Sequence, residues 1–306
     1  MGFDPWLRQW CSRELGAAPV EQLLSASVMS EVQALRLDDG REVVIKSRPD
    51  PTNRVPTCLA VQRAVADAGL PCPRPLTEAT LVDGLAVHAE EWSPGGEVAQ
   101  GIDIEAARRS ARLYAAVTAV TRLIRLPPPL PNPEWVHWDH TGPGHWPPNA
   151  LHDHRPGADS LPPALLAIAA RARRRLLAAT ELPHVLGHAD WEAQNLRWHA
   201  TMVHDWDSIA WLPEAALVGA AAGAFASTEV PTLAPLDSSE AFLTTYQEES
   251  GTFTRDELEV AWAASLWPAL HNARAELLWN HPPVALTALL DQAETRLHRA
   301  DASEES

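Results

Sequence analysis

Short alternations of apolar and polar residues fill the first third of the chain, and longer runs with apolar residues three and four apart fill most of the rest. Residues 25–46 read as a β-hairpin: Asp39-Gly40 supplies the turn, and Glu42–Lys46 is a strand dense in β-branched side chains. Residues 51–69 follow as a helix, with Thr52 or Asn53 as its cap, Pro56 in its first turn and Gly69 at its end. LPCPRPL (70–76) is an extended connector, and LVDGLAVHAEEW (81–92) reads as two strands around an Asp83-Gly84 turn. The stretch SPGGE then breaks the pattern. Over 102–124, Ile104, Ala107, Ala111, Tyr114, Val117, Val120, Leu123 and Ile124 keep apolar side chains at helical spacing. Residues 127–160 are rich in Pro, Trp, His and Gly, which predicts a long irregular segment of the kind that covers a binding site. Further helices are expected over 161–179 and in two segments after about residue 236. The pattern predicts an α+β, bilobal chain, with a small β-rich lobe over 1–92 and a large, mainly α-helical lobe over 93–306.

Composition narrows the picture. The 306 residues are 46% hydrophobic and 21% charged, which is ordinary for a globular protein, and no run of 18 uncharged apolar residues exists to cross a membrane. The opening MGFDPWLRQW lacks the apolar stretch of a secretory signal. Three cysteines, Cys11, Cys58 and Cys72, make neither a disulfide framework nor a zinc site. A cytoplasmic protein is expected.

Charge is distributed unevenly. Residues 1–180 hold 20 acidic and 19 basic side chains, whereas residues 181–306 hold 20 acidic and 5 basic. A field of that sign disfavours nucleic acid and anionic membranes as partners and favours cations. Glu214, Asp237, Glu240, Glu248, Glu249 and Glu276 are the expected contributors. Among the 24 basic residues Lys46 is the only lysine, which suggests a place where a compact point charge serves better than a planar fork.

Most of the chemistry lies in VLGHADWEAQNLRWHATMVHDWD, residues 185–207. An apolar strand end leads into His188, Asp190 and Asn195, and a short hairpin then delivers Asp205 and Asp207. Phosphoryl transfer from a nucleotide calls for such a set: a carboxylate at the acceptor hydroxyl, an amide oxygen and a second carboxylate for magnesium, and a lysine for the phosphates. His199 and His204, on the hairpin, read as structural. The histidines of 137–154 match no metal-binding template. Trp135, Trp138 and Trp146 fall in the irregular segment that could cover an acceptor.

These segments resemble those of the aminoglycoside phosphotransferase and choline kinase relatives within the protein-kinase-like fold. HADWEAQN is similar to their catalytic loop, HDWD (204–207) to their metal-binding Asp motif, VVIK (43–46) to the strand bearing the phosphate lysine, and GLPCPRPL (69–76) to the connector after the small-lobe helix. The resemblance implies Asp190 as catalytic base, Asn195 and Asp205 as Mg²⁺ ligands, and Lys46 as the contact to the phosphates of ATP or GTP. It implies a structural role for His188 and a bracing one for Asp207, and places backbone groups of Glu90, Glu91 and Trp92 at the purine edge. The glycine-free loop SASVMSE leaves Ser27 and Ser30 to serve the phosphates. At the helix position where the family offers a glutamate to the lysine stand Cys58 or Gln62, so Lys46 is expected to lack an ion-pair partner. SIAWLPEAALVG also departs from the family pattern after the metal aspartate. The implied activity is phosphorylation of a small, hydroxylated, cationic acceptor such as an aminoglycoside. The alternatives are a kinase of choline, another amino alcohol or a sugar, and a pseudokinase that binds nucleotide or a partner.

Overall fold

The computed structural model describes residues 3–27, 30–179, 181–198 and 201–302. Helix α1 (Pro5–Glu14) precedes strands β1 (Pro19–Ser27), β2 (Glu31–Leu37) and β3 (Glu42–Pro49), helix α2 (Val55–Asp67), and strands β4 (Thr80–Val82) and β5 (Leu85–Glu91). The five strands form one antiparallel sheet in the order β1-β2-β3-β5-β4. Its alternation has a clear consequence. Val43, Ile45, Val87 and Ala89 face Leu7, Trp10 and Cys11 of α1, so Val44, Lys46 and Arg48, together with Ala86, His88 and Glu90, share the opposite face.

Helix α2 packs on that second face through Val55 and Leu59, which meet Ala86. Its Cys58, Val61 and Val65 belong instead to the large core of the helical part, so α2 is wedged between sheet and helices. The cap is not Thr52 or Asn53. Both carboxylate oxygens of Asp50 accept the N–H groups of Arg54 (2.8 Å) and Val55 (2.9 Å), while Asn53 takes a left-handed turn conformation.

The remainder holds β6 (Glu97–Val98), α3 (Ile104–Thr121), the one-turn α4 (Ala150–Asp153), α5 (Pro163–Leu177), β7 (His184–His188), β8 (Leu196–Trp198), β9 (Met202–Val203), β10 (Ile209–Pro213), α6 (Glu214–Ala224), α7 (Leu236–Ser250), α8 (Arg255–Ala264), α9 (Trp267–Trp279) and α10 (Val284–Arg299). Among the described residues four helices therefore start at or after residue 236, against the two segments expected there, and α6 precedes them. Every residue of α6 from Ala215 to Ala224 is buried, so it carries no polar face for a periodicity to reveal. Its glycines let α8 approach: a Cβ on Gly219 would lie 2.0 Å from the Ala261 carbonyl oxygen, and one on Gly223 2.1 Å from that of Ser265. Helix α1 and strand β1 were likewise not apparent from the pattern, since PVEQLL does not alternate. Among the described residues no helix is long and apolar enough to cross a membrane.

Candidate active site

One wall of the candidate site is the sheet. In the β3–β5 register Lys46 stands opposite His88 and Val44 opposite Glu90, which makes Lys46 and Glu90 diagonal neighbours on one face. Lys46 Nζ lies 3.0 Å from Glu90 Oε1, with only 12% and 4% of the two side chains exposed. The lysine thus has a partner after all, supplied by a strand. Burial opposes the charge on both groups, but the mutual attraction outweighs it: Glu90 and then Asp205 hold the ammonium above its ordinary range, and Lys46 holds the carboxylate below its own. Gln62 of α2 donates to Glu90 Oε2 (2.9 Å) and to Pro73 O (2.8 Å). Cys58 turns elsewhere, its Sγ 3.6 Å from the Asp207 carbonyl oxygen. The N–H groups of Glu91 and Trp92 donate to Arg74 O (2.9 Å) and Glu42 O (3.4 Å). Ser30 lines the cleft; residues 28–29 of the serine-rich turn, the Ser27 side chain and His199 lie outside the described residues.

The other wall is the loop between β7 and β10. His188 ends β7 and is fully buried, with Trp191 and Trp206 edge-on to its ring at 5.6 and 5.3 Å. Its Nε2 donates to His204 O (2.9 Å), and its Nδ1 accepts the Asp190 N–H (3.2 Å), a pattern that requires the neutral ring. Burial favours that same form. Tyr114 donates to His188 O, Trp135 Nε1 to Ala189 O and the Ala189 N–H to Ser208 O, so the backbone before Asp190 is pinned on three sides. Asn195 Nδ2 donates both to Asp190 O (3.0 Å) and to Asp190 Oδ2 (2.8 Å). Its two amide protons are thereby engaged, which leaves the amide oxygen as a hard donor. Asp205 sits at φ 64°, ψ 49°, a left-handed conformation that aspartate tolerates, and accepts from Ser208 Oγ at 3.3 Å.

Carboxylates crowd this wall. Burial, then the charge of Asp205, push Asp190 up to about 7, with the Asn195 amide pulling the other way. Glu192, 9% exposed, is raised well above the usual carboxylate range by burial and by Asp190, although Gln194 donates to it at 2.6 Å. Asp207 is ion-paired with Arg48 of β3, a bond that ties the two walls together. Arg54, the residue before α2, adds a second tie, donating to Ile209 O at 2.8 Å and to Pro131 O.

Between the walls lies a cleft of about 390 Å³. Ala26, Val32 and Arg48 line its sheet side, Asp190, Glu192, Asn195, Asp205 and Asp207 its loop side, and Trp135, Pro268, His271 and Asn272 its helical side. The sequence reading had not singled out Arg48, Glu192, His271 or Asn272. Arg48 was within reach of it, being two residues past Lys46 on an alternating strand. The α9 residues carried no such signal. Among the described residues no three His, Cys, Asp or Glu side chains converge as a metal cage, so an ion here would take the rest of its shell from water or a substrate.

The acidic excess is placed differently from expectation. Glu276 is buried, and its carboxylate caps α10 by accepting from Ala285 N (2.7 Å) and Leu286 N (2.9 Å). Asp237, Glu240 and Glu248 line a separate groove with Arg108 and Arg112, and Glu214 is paired with Arg122. The negative charge of the cleft comes from the loop itself.

A buried lysine on an antiparallel sheet, facing a carboxylate–amide–carboxylate loop set in a helical body, defines a kinase-like phosphotransferase. The profile of the phosphotransferase enzyme family (APH) matches residues 30–215, and the chain belongs to that family. Solved structures with the same fold include the microcompartment-associated aminopropanol kinase (12% identity, 98% of this chain and 95% of that one, TM-score 0.59). An amicoumacin kinase in complex with AMP-PNP, Ca²⁺ and Ami is similar (11%, 98% and 90%, TM-score 0.58). So is an aminoglycoside phosphotransferase from Alicyclobacillus acidocaldarius (13%, 99% and 94%, TM-score 0.56). At these identities the likeness is one of fold. A comparison with curated proteins finds no match.

Proposed function

We propose that this small-molecule phosphotransferase moves the γ-phosphate of ATP or GTP to a hydroxyl of a cationic acceptor, in a cleft between lobes that meet near Trp92. The observation that carries this reading is the Asn195 amide, which fixes one oxygen of Asp190 while turning its own oxygen away. Asp190 then has a second oxygen for the acceptor hydroxyl. It takes the proton as the acceptor oxygen bonds to phosphorus and the bond to the leaving nucleoside diphosphate breaks. Asn195 and Asp205 are the hard oxygen donors that would hold Mg²⁺, which supplies charge stabilisation on the phosphates when bound. Lys46 keeps two of its three N–H donors free of Glu90 for phosphate oxygens.

The acceptor's charge is argued from the loop wall. Asp190 and Glu192 are carboxylates whose burial and mutual repulsion are relieved by a nearby ammonium group. An amino alcohol or amino sugar fits that chemistry better than a neutral sugar. The test is phosphate transfer from Mg²⁺ with ATP or GTP across a panel of aminoglycosides, amino alcohols and neutral sugars. Transfer to cationic members, weakening as salt rises, is the expected result. Preference for neutral sugars would overturn the acceptor class, and no transfer to any hydroxyl compound alongside tight nucleotide binding would favour a pseudokinase.

A further inference from the structure

Helix α2 offers no carboxylate to Lys46; a strand does. We infer that Glu90 of β5 is the positioning residue for the phosphate-binding lysine, with Gln62 of α2 as a neutral buttress, so that the lysine's placement is built into the sheet. The inference rests on Lys46 serving the phosphates, as proposed above.

The geometry behind it is a chain of fixed links. Lys46 and Glu90 are diagonal across two strands whose register is set by seven consecutive pairs, from Val43↔Glu91 to Pro49↔Leu85. The ladder fixes the two backbones, so the pair can part only by rotation of the side chains themselves. Gln62 holds the second oxygen of Glu90 and, through Pro73 O, the connector beneath it. His88, opposite Lys46, is kept neutral by burial, at about 4, so it brings no competing charge to the pair. The same helix reaches the other wall, where Cys58 Sγ and the preceding Arg54 at its N-terminus meet the backbone around Asp207. A carboxylate on a helix would move with that helix. A carboxylate on β5 leaves the lysine paired whatever α2 does, and the nucleotide side of the cleft stands assembled before any ligand arrives.

The arrangement also contains its own control. Glu90 and Gln62 are isosteric and already touch, so exchanging them moves the carboxylate from strand to helix and keeps a hydrogen bond between them, at the cost of the one that Gln62 donates to Pro73 O. Because Lys46 is the only lysine, a protein labelled with ¹³Cε-lysine gives one lysine resonance. In the parent that resonance should keep its protonated-form shift to at least about pH 10, the usual lysine range. In Glu90→Gln it should titrate about 1–3 pH units lower, as burial acts with only the charge of Asp205 left to oppose it. The affinity for ATP or GTP, measured by calorimetry, and kcat/KM for the nucleotide should each fall about 10-fold or more on the same grounds, with KM for the acceptor little changed. The exchanged variant Gln62→Glu/Glu90→Gln should regain part of the resonance position and of the affinity, short of the parent because Pro73 O loses its donor. This rescue distinguishes positioning from a general loss of folding.

A Glu90→Gln protein whose lysine titrates and binds nucleotide like the parent would sink the role of Glu90. So would an exchanged variant no better than the single one. A parent that binds neither nucleotide, yet shows the high lysine titration, would sink the phosphotransferase reading instead.

Discussion

The two walls of the cleft solve the problem of buried charge in opposite ways. On the sheet wall, Lys46 and Glu90 neutralise each other within the protein, and strand register fixes their geometry. On the loop wall, Asp190, Glu192 and Asp205 lie near one another, and burial, with their repulsion added, drives Asp190 and Glu192 toward protonation. One wall is complete by itself. The other gains from positive charge, which Mg²⁺ and a cationic acceptor would supply. On the proposed function, the phosphates would bind at the sheet wall and the proton transfer would take place at the loop wall.

The comparison is broken most sharply at Asp190. Asp190→Ala should reduce turnover by about 10²–10⁴-fold, the usual contribution of a general base, with nucleotide affinity close to the parent's. Near-normal turnover in that variant would take the base away from the loop wall. Next in size is the metal. Asp205→Asn should abolish the gain in nucleotide affinity that Mg²⁺ confers, leaving metal-free affinity unchanged, and calorimetry with and without Mg²⁺ checks it.

The support of the loop wall is expected to matter in stability before it matters in chemistry. Helix α6 continues directly from β10, and Gly219 is where α8 touches it. Gly219→Ala should cost about 1–3 kcal/mol by overpacking, read as a lower midpoint in denaturant at unchanged slope. The smallest effect is predicted for the remote acidic groove. Glu240→Gln/Glu248→Gln should change the acceptor KM and its salt dependence less than about twofold, because a Debye length of about 10 Å at 0.1 M salt screens charges outside the cleft. A larger loss would restore the idea that the whole C-terminal charge steers the acceptor.

Much of the loop wall was legible in the chain. Its contacts are short in sequence: Asn195 reaches back five residues to Asp190, and Asp190 two residues to His188. The order of residues nearly dictates who can meet whom. The partner of Lys46 was not legible, because no property of Glu90 as a residue separates a purine-facing position from an ion-paired one. Only the register between β3 and β5 does. Glu276 was misread as surface charge for a related reason, since an acidic residue near a helix end reads as solvated until a second helix begins beside it.

The sequence by itself determined the alternation that puts Lys46 and Arg48 on one face of a strand, the turns at Asp39-Gly40 and Asp83-Gly84, and the His–Asp–Asn–Asp order of residues 188–205. Those depend on side-chain direction and backbone preference over a few residues. Tertiary structure alone decided that Glu90 meets Lys46, that Arg48 pairs with Asp207 across 159 residues, that His271 and Asn272 of α9 close the cleft, and that most of the acidic excess lies outside it. Each of these is set by how distant elements pack. Coulomb energy and burial follow separation in space, which distance along the chain does not specify.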